Sequence, residues 1–237
     1  MTTCGIYSHL YPCIAETRYT PLYIARNPAL AFGMAAVRNH GMRAIPTSSG
    51  GKVFRDVVRI HRTDAAFAKF FGHSPPGAAL EFMDALGNLA VLETKRTAFF
   101  CSAKCPGEII LRAYDAATRW RDEGRVIVSG FHSPVERDCL RILLRGKQPI
   151  IICPARTLDG YRVPADWQPA LDAGRLLVLS PFASSARRTT ARLAAQRNEF
   201  VASLADEAVF AHTTPGGHTD CLRAVLIAAG KPVSSLE

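Results

Sequence analysis

Between a strand-like run and a helix-like run lies Thr213-Thr214-Pro215-Gly216-Gly217-His218-Thr219-Asp220. Gly216 and Gly217 permit a tight turn with positive φ and leave backbone N–H groups uncovered. Thr219 could cap the next helix or offer its hydroxyl to a ligand. That helix adds the positive end of its dipole. The combination would hold a phosphate without a lysine; the same residues also make an ordinary β–α turn. Ser102 and Gly130 each follow another strand-like run. The Ser102 hydroxyl could take a second phosphate oxygen, with Lys104 adding charge; Ser102 reads equally as a turn or cap residue. At Gly130 the missing Cβ would leave room for a ligand, or simply end a strand.

Arg187, Arg188, Arg192 and Arg197 fall within one short segment. Such a cluster could follow a nucleic-acid backbone. On a helix, Leu193, Arg197, Phe200 and Leu204 share a face. An arginine on a mostly apolar face needs a partner: a ligand phosphate, or Glu199 or Asp206 in a salt bridge. Cys101 and Cys105 have no second pair, so zinc spacing is absent, no metal is expected, and the cysteines read as small core residues. His132, His212 and His218 fall on loops, with nothing sequential joining them to a nucleophile or carboxylate. Neither GxGxxG nor GxxxxGK[ST] follows a strand-like run, so the chain lacks a dinucleotide fingerprint and the usual triphosphate loop. No cofactor is expected.

The elements that would position these residues alternate. Strands are expected at 97–101, 125–130, 149–153, 175–180 and 207–212, with a last one entered at Lys231. Helices are expected at 108–121, from Pro134 to Gly146, at 165–173, within 187–204, and at 219–229. Ile109, Ala113, Ala116, Ala117 and Trp120 make an apolar stripe on the first of these. Short apolar strands separated by helices imply a parallel sheet covered on both faces. The expected fold is therefore α/β: a doubly wound, mostly parallel Rossmann-like sheet over residues 86–237. Its ligands would sit outside the carboxyl ends of the strands.

Residues 1–85 are expected to form a small, partly helical or irregular extension. A short helix follows Asn27-Pro28, residues 47–51 read as a loop, and 53–60 as either strand or helix. Further short helices are expected at 63–71 and 78–86, separated by the break at 73–77.

The 237 residues are 48% hydrophobic and 21% charged, enough for a sizeable core and against wholesale disorder. No run approaches a membrane span, and the start lacks a basic segment followed by an apolar one. A cytoplasmic, mostly reduced chain without a membrane partner is the expectation. The formal charge of +9 fits either an ordinary basic surface or a phosphate-rich partner.

From about residue 86 to 233 the chain resembles the DNA-processing protein A (Smf) family, in the Rossmann-like group that includes the "lonely guy" phosphoribohydrolases. Gly87-Asn88-Leu89 and Lys95 through Ser102 resemble that family's first strand and turn. Val126 through Gly130 resembles its second strand and glycine, and Arg197-Asn198 its arginine-asparagine-arginine motif. Asp206 through Val209, Pro215-Gly216-Gly217 and Gly230-Lys231-Pro232-Val233 follow in order. Ala103 and Glu199 stand where the family has arginines. Phe131 through Glu136 replaces a further glycine and an aspartate, and Leu140 a histidine.

The resemblance implies a phosphate site, which Ser102, Gly130, Arg197, Gly216, Gly217 and Thr219 would build, and a nucleic-acid surface, which the charge reading places on Lys104, Arg187, Arg188 and Arg192. It implies single-stranded DNA or a small nucleotide as ligand, a homodimer, and a recombinase partner. Two other readings stay open. One is a nucleoside-monophosphate phosphoribohydrolase using Asp220 or Glu136, although the third glycine and the helix glutamate of that group are missing. The other is a non-catalytic interaction scaffold.

Overall fold

A computed structural model describes residues 44–46, 52–71 and 80–237. The expected helix after residue 28, the loop at 47–51 and the break at 73–77 lie outside the described residues.

The described residues form strands, of which the short apolar runs at the centre of the sheet are buried on both faces. In chain order these are β1 (Ala44–Pro46), β2 (Lys52–His61), β3 (Phe82–Asn88), β4 (Arg96–Phe100), β5 (Val126–Ser129), β6 (Ile150–Ile152), β7 (Leu176–Ser180), β8 (Glu207–Phe210) and β9 (Val233–Ser235). The helices are α1 (Ala65–Phe71), α2 (Gly107–Asp122), α3 (Pro134–Leu144), α4 (Gln168–Asp172), α5 (Ala191–Leu204) and α6 (His218–Ala228). One sheet has the order β1-β2-β3-β7-β6-β5-β4-β8-β9. The run from β7 to β9 is parallel, and β1, β2 and β3 add an antiparallel edge.

Alternation along the strands splits the core in two. Ala98, Phe100, Val128 and Phe210 face one side, where α1, α5 and α6 contribute Phe67, Phe200 and Leu222. Phe99, Ile127 and Val209 face the other, against α2, α3 and α4. The stripe on α2 is buried as its spacing predicts, with Trp120 edge-on to Phe99 at 5.3 Å between centroids. The doubly wound α/β expectation therefore holds, with helices on both faces. No helix among the described residues is long and apolar enough to cross a membrane.

Topology locates the crevice. The chain steps outward from β4 through β5 and β6 to β7, then returns past β4 to β8 and β9. The switch point lies between β4 and β8, where the following loops diverge and ligands collect in folds of this class.

The helix expected at 78–86 is corrected: residues 82–88 are β3, and β3 runs through residue 86, where the sequence reading divides the chain. Ala85 and Leu86 favour helix locally, but pairing decides. Met83 and Ala85 join one core and Leu86 the other. Asp84, 2% exposed, receives the Arg59 guanidinium at 2.7 and 2.9 Å, a partner that only the neighbouring strand β2 supplies. The ambiguous segment 53–60 accordingly lies in β2, and the helix expected at 63–71 is α1.

Gly87 fixes how closely β3 meets β7. Its φ is +111°, and a Cβ there would lie 2.1 Å from the Leu176 carbonyl oxygen. Gly87→Ala is expected to cost about 2 kcal/mol or more and to lower Tm by on the order of 5 °C. Thermal unfolding reads this; an unchanged Tm would contradict the β3–β7 register.

Candidate functional site

The carboxyl ends of β4 and β5 are joined by one side chain. Glu136, 5% exposed, accepts the Cys101 amide at 2.9 Å through Oε1, and the His132 and Ser133 amides at 2.8 and 3.1 Å through Oε2. The Ser133 hydroxyl accepts the Glu136 amide at 3.3 Å, completing a capping box with Pro134 at the start of α3. Ser133-Pro134-Val135-Glu136 is that signature in sequence. Reading Glu136 only as a possible catalytic carboxylate missed it.

Arg197 lies beside this knot, 4% exposed. Its Nε donates to Asn198 Oδ1 at 2.8 Å and its Nη1 to the Cys153 carbonyl at 3.2 Å. These replace the expected protein partners: Glu199 is exposed, and Asp206 accepts the Arg96 amide at the other end of β4. Burial lowers the Arg197 pKa, while the Glu136 charge opposes the shift. Gly130 makes room for the guanidinium, since a Cβ there would lie 1.3 Å from Nη1. The structure thus brings Gly130 and Arg197 together.

Ser102 and the double-glycine turn also meet, but the amides expected to be bare are engaged. The Thr214 amide donates to Ser102 Oγ at 3.0 Å, and the Gly216 amide to Asp220 Oδ2 at 3.1 Å. The Gly217 amide closes the turn on the Thr214 carbonyl at 2.9 Å. The Thr213 amide reaches Glu237 Oε1 at 3.0 Å, and the same oxygen lies 2.6 Å from His212 Nδ1. The reason is that carboxylates from α6 and from the segment after β9 reach back to amides of the turn ahead of the helix. Gly217, without a side-chain bond, is the N-cap of α6, so Thr219 is not the cap but lies in the first turn. The Arg223 guanidinium and then the Gly216 amide hold the Asp220 carboxyl below its ordinary pKa.

Positive charge is displayed instead on side chains. Helix α5 starts at Ala191, capped by Thr190 Oγ1 accepting the Leu193 amide at 3.2 Å, so Arg187 and Arg188 stand on the preceding loop. That loop is tied to the one after β6 by the Thr157 amide on the Ala186 carbonyl at 2.9 Å. Ala155, Phe182 and Leu193 pack beneath both. Lys104, Arg156, Arg187, Arg188 and Arg192 are exposed and have no acidic partner among the described residues. Arg156, which sequence reading passed over, lies above the Tyr161 ring at 5.0 Å.

Cys101, Cys139 and Cys153 are free and buried. Burial raises their thiols, Cys153 to about 12, which disfavours thiolate chemistry. His132 and His218 are exposed, and His212 faces Glu237. Among the described residues no group of three or more His, Cys, Asp or Glu side chains is arranged to hold a metal ion.

No protein-family model and no curated protein matches the sequence. The fold is similar to that of DNA processing protein A from Streptococcus pneumoniae, over 76% of this chain and 63% of that one, at 20% identity and a TM-score of 0.59. It is similar also to DNA processing protein A from Helicobacter pylori, a protein described for its single-stranded DNA binding mode. That match covers 76% of this chain and 80% of the other, at 16% identity and a TM-score of 0.57. The chain spans less than two thirds of the length of the Streptococcus protein. At these identities the likeness is one of fold.

Asp220 yields a test of the turn. A carboxyl with a depressed folded-state pKa adds stability that is present above its unfolded value and lost as pH falls through the folded one. Asp220→Asn is expected to cost about 1 kcal/mol at neutral pH, with the gap closing as pH falls below the ordinary carboxylate range. Denaturant titrations across pH check this. A gap of constant size would show that the charge is not what holds the Gly216 amide.

Proposed function

We propose that this chain binds single-stranded DNA or a nucleotide at the carboxyl rim of its sheet, gripping phosphates with arginine side chains. One observation carries the reading: Arg156, Arg187, Arg188 and Arg192 project without acidic partners from two mutually hydrogen-bonded loops and the adjoining start of α5. Uncompensated positive charge beside a crevice attracts polyanions and speeds their arrival. The likeness in fold to DNA processing proteins supports the same reading.

In this proposal Arg197 neutralises a phosphate at the base of the rim and Gly130 keeps its seat open. The Ser102 hydroxyl accepts from Thr214 and so keeps its own proton for a phosphate oxygen. Lys104, Arg187, Arg188 and Arg192 extend the surface. Gly216, Gly217 and Thr219 meet the ligand as a turn already closed on Asp220, so a phosphate reaching the Gly216 amide must displace that carboxylate. Nucleotide hydrolysis would need a carboxylate free to act, and both Glu136 and Asp220 are occupied by backbone amides. A homodimer and a recombinase partner are further expectations carried by the resemblance alone.

Fluorescence anisotropy with labelled oligo-dT over a range of KCl tests the reading. Replacing Arg187, Arg188 and Arg192 together by alanine should weaken binding and reduce the slope of log K against log salt by about 2, from roughly 0.7 per contact. Gly130→Ala should weaken binding at unchanged charge, by expelling Arg197 from its seat. Absence of oligonucleotide binding by the wild type, or binding indifferent to salt, would refute the multi-phosphate surface; thermal-shift silence toward nucleotides as well would favour a scaffold.

A further inference from the structure

The loop after β6 carries a feature that charge alone does not account for. The Arg156 guanidinium lies 5.0 Å above the Tyr161 ring, within cation–π range. Tyr161 is half-buried and packs against the core beneath α2, α3 and α4, and Arg156 lies over its ring. Arg156 itself is exposed and has no acidic partner among the described residues.

The backbone around the pair is pinned. Ser180 Oγ donates to the Arg156 carbonyl at 2.7 Å. The Thr157 amide donates to the Ala186 carbonyl at 2.9 Å, and the Tyr161 amide to the Leu158 carbonyl at 2.9 Å. Thr157 and Leu158 are buried. A planar cation held over an aromatic ring, 5.0 Å from its centroid, on a fixed loop, loses little freedom when a second planar group lands on it.

Its place matters as much as its shape. Cys153, whose carbonyl accepts Arg197 Nη1, is three residues earlier in the chain. Three extended residues span at most about 11 Å. The Thr157–Ala186 hydrogen bond places Arg187 and Arg188 just beyond. A planar surface thus stands between a buried arginine and an exposed arginine pair.

We infer that Arg156, laid on Tyr161, is a stacking platform for an unpaired nucleobase, and that the rim takes single-stranded nucleic acid in preference to a mononucleotide. This rests on the phosphate-binding reading above. Every base has a π-face, so the platform confers preference for unstacked strands without sequence selectivity. A lysine in the same place would supply the charge but not the plane.

The test uses the full chain and a short oligo-dT carrying one 2-aminopurine, whose fluorescence falls on stacking, with dTMP as the small competitor. Wild-type binding should quench the probe, and dTMP should bind far more weakly than the oligonucleotide. Arg156→Lys should weaken binding by about tenfold, abolish the quench and leave the salt slope unchanged. Arg156→Ala should also lower that slope by about 0.7. Tyr161→Leu should behave as Arg156→Lys does, its fold verified by thermal melting. Wild-type quench and affinity within twofold in Arg156→Lys overturn the platform alone. Equal affinity for dTMP and oligonucleotide overturns the preference for a strand. Absence of oligonucleotide binding by the wild type overturns the phosphate-binding surface and the platform together.

Discussion

A single buried carboxylate governs the geometry of the rim. Glu136 gathers three amides from the loops after β4 and β5, beside an almost fully buried Arg197. Each charge would be expensive to bury without hydrogen-bonding partners. Glu136 finds them in the backbone, and Arg197 in Asn198 and the Cys153 carbonyl. The seat of Arg197 exists because residue 130 has no Cβ. The β4, β5 and β6 exits, and the helix below them, are thereby fixed relative to one another.

The rim then divides its labour in an unusual way. Several loop amides are taken by the protein's own carboxylates: those of His132 and Ser133 by Glu136, Gly216 by Asp220 and Thr213 by Glu237. Positive charge is carried instead by long side chains on the loop before α5 and the loop after β6. An amide cradle recognises one phosphate in one orientation. A set of exposed arginines recognises a chain of phosphates loosely and yields to salt. The formal charge of +9 supplies long-range attraction consistent with the second arrangement.

Sequence reading recovered most of the parallel half of the sheet because each strand there is a short apolar run and each helix an amphipathic one. It misread residues 82–86, where the stabilising contacts are the Arg59 pair and the strands on either side. Ser102, Gly130 and the double-glycine turn follow β4, β5 and β8 as their strand-end positions imply, and the Arg197 side chain reaches Gly130. The capping box at Ser133 and Glu136 was present in the letters, since its signature spans four residues.

What periodicity and composition carried was the layered α/β architecture and the choice of rim, because burial in such a fold imprints a repeat on neighbouring residues. Occupancy of the amides was decided elsewhere. Ser102 meets Thr214 across 112 positions, and Glu237 meets Thr213 across 24. Such pairs leave no local trace, because a hydrogen bond depends on the positions that crossovers give to distant side chains, and those are set only when the whole sheet has closed.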